Sequence, residues 1–144
     1  MKLASWNSSY ATGIWQVDIQ HKKLFVYIEE LGKLNDEVDI DECKKKIDEI
    51  MKGLLSYTVS HFDQEEFLFE KTNYPEAEKH KQMHRAFTKK IYADHERLSN
   101  LDRLESIKRL SSEISEYLTK WLGSHILEVD QAYVDFVRPK KKVG

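Results

Sequence analysis

One cysteine, Cys43, two prolines and five glycines are all that this 144-residue chain has of the residues that staple, break or loosen a backbone. A lone cysteine can form neither an internal disulfide nor a thiolate cluster, so any metal held by the chain must be held by nitrogen and oxygen. So little proline and glycine argues against a loop-rich β fold and for long helices. Long apolar runs are missing as well. The longest uninterrupted one, 24–28, is far short of the roughly 20 residues that a membrane span needs. Segment 1–13 lacks the apolar core of a signal sequence. These absences lead to the expectation of a cytoplasmic chain with no stable membrane association. Neither sign of charge dominates: the formal net charge of -2 leaves no electrostatic footprint for nucleic acid. The basic residues Arg138, Lys140, Lys141 and Lys142 cluster in a tail, 138–144, which reads as a solvated helix end.

What is present is amphipathic. Charged residues make up 33% and hydrophobic ones 40%, and the length suits one domain with one core. Segment 1–16, with Trp6, Tyr10, Ile14 and Trp15 among small polar residues, has no helical period and reads as an arm whose aromatics pack over the rest. A first helix is expected over 17–35, with Leu24, Phe25, Ile28, Leu31 and Leu34 at the three-and-four spacing of a buried face. The acidic turn 36–41 offers Asp39 or Asp41 as a cap for a second helix reaching about residue 71. Asn73 and Pro75 mark the next turn, before a third helix over about 75–98. A fourth is expected from about 102 into the 130s. The whole of 1–144 is therefore expected to be one all-α domain. It would be an antiparallel up-down-up-down four-helix bundle, 17–137, with an extended N-terminal arm.

The polar residues on the inward faces are unusual. His61 and Glu65 are four apart, as are His80 and His84, so each pair projects from one helix face on either side of the tight turn. One histidine and carboxylate at this spacing is most often a surface pairing or a satisfied, partly buried group; two pairs on facing helices form a constellation. His21 lies on the inner face of the first helix, and His125 and Asp130 on the fourth. Five imidazoles and two carboxylates exceed what one tetrahedral ion needs and suit two octahedral iron ions bridged by carboxylates. Burying so many ionisable groups without a metal would be costly. Glu66 lacks the spacing to His61 and is assigned to the surface or to a supporting role. His95 lies about 16 Å along the axis from His84, too far to share the centre. His125 and Asp130 are separated by about 140° on an ideal helix, which predicts a local irregularity such as a π-bulge.

The motifs around these positions, 13–14 with 17–25, HFDQEE over 61–66, Tyr74-Pro75 with His80-xxx-His84-xx-Phe87, and WLGSHI over 121–126 with Asp130 and Tyr133, resemble the hemerythrin family. The resemblance implies that His80, His84 and His125 complete one iron and that His21 and His61 hold the other. Glu65 and Asp130 would bridge them, with an oxo or hydroxo group as third bridge. It also implies reversible binding of dioxygen at the less fully coordinated iron, for carriage, storage or delivery, and with it an oxygen-consuming recipient protein. Leu24, Phe62, Trp121, Leu122 and Ile126 lie within a turn of these residues and are expected to line the dioxygen pocket. A site rich in neutral imidazole stabilises high oxidation states of iron less than a carboxylate-rich one, which favours binding over catalysis. The alternatives are an oxygen or redox sensor module and a di-iron peroxidase or nitric-oxide-handling enzyme.

Overall fold

The computed structural model describes residue 6 and residues 8–11, 15–125 and 131–137. Four long helices, α1 (Trp15–Lys33), α2 (Ile40–Thr72), α3 (Ala77–Ser99) and α4 (Leu104–Ser124), are followed by a short α5 (Gln131–Val137). Neighbouring helices pack around a ring, α1 on α2, α2 on α3, α3 on α4 and α4 on α1, while α2 and α4 also touch across the diagonal. Cross-links fix the antiparallel sense. Ser111 Oγ on α4 donates to the Leu31 carbonyl at the end of α1 (3.1 Å), and Lys44 Nζ at the start of α2 donates to the Leu101 carbonyl beyond α3 (2.9 Å).

Local chemistry sets the ends of these helices. Asp39 caps α2 by accepting the Glu42 N–H at 3.0 Å, as its acidic turn suggested. At the other end Asn73 takes the left-handed conformation (φ 53°), and the Tyr74 N–H closes back on the Phe69 carbonyl at 3.0 Å. Asparagine tolerates this conformation better than other side chains with a Cβ. Pro75 stands in the turn, and α3 begins at Ala77, slightly later than expected. Helix α1 begins at Trp15, two residues before the expected start, and the last turn of the predicted 17–35 helix tightens into a 3-10 turn at Leu34–Asp36. The arm also coils into a 3-10 turn at Ser8–Tyr10. Two of its aromatics pack on the bundle, Trp6 and Tyr10 lying 5.9 and 4.8 Å from the Phe25 ring, while Ile14 and the Trp15 side chain lie outside the described residues.

The core divides along the bundle axis. Toward the start of α2 and of α4 it is built from Ile47, Met51, Leu54, Ile107, Leu110 and Ile114, all fully buried. Each side chain of this kind contributes about 1.5–3 kcal/mol on burial. Toward the other end the buried residues include His21, His61, Glu65, His80, His84 and His125, interleaved with Phe62, Phe69, Tyr74 and Tyr133. The basic tail 138–144 lies outside the described residues.

Candidate metal centre

All four long helices feed the polar half of the core. His21 comes from α1, His61 and Glu65 from α2, and His80 and His84 from α3. His125 follows α4 directly, and its backbone sits in a π-type turn. Such turns re-aim a side chain by inserting an extra residue into the helical spiral. Asp130 and Ile126, the remaining expected ligand and pocket residue, lie outside the described residues.

These side chains form two overlapping groups: Glu65, His80, His84 and His125, and His21, His61 and Glu65, the donor atoms of each group lying within 4.8 Å of one another. Glu65 belongs to both, and its two oxygens divide between them. Its Oε1 faces His61 Nε2 at 3.2 Å, while its Oε2 faces His84 Nε2 at 3.0 Å and His80 Nε2 at 3.7 Å. One carboxylate therefore spans two sets of imidazoles. His80 Nε2 and His125 Nε2 are 3.2 Å apart. Nε2 atoms converging on one another and on a buried carboxylate present several lone pairs to a small volume, which is the donor chemistry a cation satisfies. The residues present fit a nitrogen- and oxygen-ligated metal.

Electrostatics favours the form of histidine that binds metal. Burial pushes the His84 imidazole below its ordinary pKa, against the opposing pull of the hydrogen bond to Glu65 and its negative charge. A neutral ring keeps a lone pair for coordination.

Aromatic rings hold the donor rings in place. Phe62 stacks on His84 with centroids 3.8 Å apart and planes 7° from parallel, and Trp121 stacks on His125 at 4.1 Å and 12°. Phe69 backs His80 at 4.6 Å. Of the expected pocket residues, Leu24, Phe62 and Leu122 are buried in the main core cluster, and Trp121 packs against it while remaining half-buried.

Two residues beside the donors are instructive. Glu66, which the spacing assigned to the surface or to support, places Oε2 3.5 Å from His84 Nδ1. Gln20 was not anticipated at all, and its side chain hydrogen-bonds His61 Nδ1 through Oε1. The available signal was the antiparallel register of α1 on α2, which sets Gln20 opposite His61, combined with the need of a coordinating imidazole for an acceptor behind it. His95 lies away from the centre and bonds Asp48 Oδ1 at 2.7 Å.

Comparison with known proteins finds relatives of this chain. The model of the hemerythrin HHE cation binding domain matches residues 12–137. A bacteriohemerythrin of Stenotrophomonas maltophilia is 31% identical, the alignment covering 96% of this chain and 84% of that protein. A Pseudomonas aeruginosa bacteriohemerythrin is 32% identical over 92% of this chain and 80% of its own length. One from Clostridium acetobutylicum is 29% identical over 90% and 98%. Among the described residues, no helix is long and apolar enough to cross a membrane.

Proposed function

This chain belongs to the hemerythrin family, and on that premise we propose that it binds dioxygen reversibly at a non-heme di-iron centre, as a carrier, store or deliverer of the gas and not as an enzyme. The observation that carries the reading is the division of Glu65 between two groups of buried imidazoles. A single carboxylate facing both ways supports two ions, where one compact group would support one.

In this reading His80, His84 and His125 would hold one iron, His21 and His61 would hold the other, and Glu65 and Asp130 would serve both. The iron pair supplies the electrons and the coordination position that dioxygen requires. The protein supplies the rest. Imidazole ligands bring no negative charge of their own and so leave the centre with little anionic charge, which disfavours deep oxidation and keeps binding reversible. Leu24, Phe62 and Leu122, all buried, and the half-buried Trp121 offer apolar surface beside the donors that would limit water and proton entry. Dioxygen is then the ligand and an oxygen-consuming protein the recipient. We read 1–144 as one domain, with the arm 1–16, the bundle 17–137 and the tail 138–144, acting in the cytoplasm.

The deciding experiment is an anaerobic optical titration of the iron-loaded, dithionite-reduced protein with dioxygen, followed by removal of the gas. A visible absorption band that grows with dioxygen and disappears on its removal is expected. Irreversible oxidation without such a band would overturn the carrier reading and leave a redox sensor or enzyme in its place.

A further inference from the structure

The two groups of imidazoles differ in what stands behind them. The outer nitrogen of His84, Nδ1, lies 3.5 Å from the carboxylate of Glu66, an electrostatic contact without a hydrogen bond. The outer nitrogen of His61, also Nδ1, faces the neutral amide oxygen of Gln20, while His61 Nε2 points at Glu65. The His21 ring lies against His61 at 5.0 Å.

An amide offers an acceptor and a donor of nearly equal size, so whichever end of Gln20 faces His61 decides which ring nitrogen of His61 carries the proton. The other end of Gln20 is fixed from outside. Gln20 Nε2 donates to Gln64 Oε1 at 2.7 Å, at the exposed seam between α1 and α2. With its nitrogen engaged by Gln64, Gln20 turns its oxygen to His61.

We propose that Gln20, oriented by Gln64, is a positioning residue that keeps the His61 proton on Nδ1 and the Nε2 lone pair turned to the metal. We propose further that this neutral amide, set against the Glu66 carboxylate behind His84, makes His61 the poorer electron donor of the two. The inference rests on His61 being a metal ligand, as in the function proposed above. A carboxylate behind an imidazole strengthens its donation to a metal, and an amide does so less. The exposed seam would thus tune one side of the centre through two hydrogen bonds.

The test uses the zinc-loaded protein, which is diamagnetic. Nitrogen-resolved NMR follows the His61 Nδ1 proton and competition with a chelator gives the zinc affinity. In the wild type the Nδ1 proton should be slow to exchange. Gln20→Leu should expose it to exchange and weaken zinc binding by about 10–100-fold. Gln20→Glu should restore both and, in the iron-loaded protein, lower the midpoint potential. Gln64→Glu should behave as wild type, while Gln64→Lys, which offers a donor to Gln20, should behave as Gln20→Leu. A Gln20→Leu protein with an unchanged Nδ1 signal and unchanged zinc affinity would overturn the positioning role and leave the metal centre standing. An unchanged or raised potential in Gln20→Glu would overturn the electronic asymmetry. A wild-type chain that binds no metal would overturn the centre itself and this inference with it.

Discussion

The two halves of the bundle use one framework of helices for opposite purposes. In the half built on Ile47, Met51, Leu54, Ile107 and Ile114, every contact that buries area also stabilises the fold. In the half built on His21, His61, Glu65, His80, His84 and His125, burial works against the side chains, because each imidazole or carboxylate loses water. The difference teaches that the apolar half can hold the helices in register while the polar half keeps donors converged that would otherwise stay hydrated. Metal then repays in one half what the other half underwrites.

Substitution of a donor should separate the halves most sharply. His84→Ala is expected to lose metal and, with it, about 4 kcal/mol of the loaded protein's stability, the increment that a ligand at a thousand times its dissociation constant confers. In the metal-free chain the same change should cost less, because it opens a cavity beside Phe62 and strips a partner from Glu65 but forfeits no metal. Urea unfolding with and without chelator, together with metal analysis, reads both; equal losses in the two forms would erase the division.

Ile114→Ala in the apolar half should cost about 2–4 kcal/mol, by transfer and cavity terms, and should cost the same with and without metal. A loss confined to the loaded form would show that the halves are coupled.

Smaller still is the pH dependence of the metal-free chain. Burial lowers the folded His84 pKa, so near the ordinary histidine value the unfolded chain binds a proton that the folded chain refuses. Stability should therefore fall as pH drops through about 6.5, and metal, which also needs the neutral ring, should oppose the fall at mildly acid pH. Thermal unfolding across pH 5–8 in chelator measures it.

The smallest effect belongs to the turn joining the halves of the donor set. Asn73→Ala should cost about 1 kcal/mol, because alanine tolerates the left-handed backbone less well, whereas Asn73→Gly should stay within a few tenths. Urea midpoints of the two variants compare them.

Much of this was legible in the sequence because helical periodicity places donors as reliably as it places leucines. His21, His61, Glu65, His80, His84 and His125 all come together as their spacing implied. Capping chemistry was equally readable at Asp39, and turn chemistry at Asn73. What escaped depends on contacts between helices, which periodicity within one helix does not encode. Gln20 is one case. Asp94 is another: it is buried, and Lys90 of the same helix bonds its carboxylate at 2.9 Å. Long lysine side chains can carry their charge across a helix surface to such a group, so a carboxylate inside the bundle need not announce itself by pattern. The spacing of His125 and Asp130 implied a local irregularity, and the π-type turn at His125 is one, while Asp130 itself lies outside the described residues.

The tight reversal at Asn73 also orders events in time. His61, Glu65, His80 and His84 lie on one hairpin of α2 and α3, so they are close in sequence as well as in space. Closing a short loop takes on the order of 10–100 ns and helices form within about a microsecond, whereas His21 and His125 must be recruited from distant parts of the chain. The hairpin is therefore expected to become protected from hydrogen exchange before α1 and α4 dock. Pulse labelling during refolding would resolve that order, and refolding in the presence of metal would show whether an ion is first gripped by half a centre.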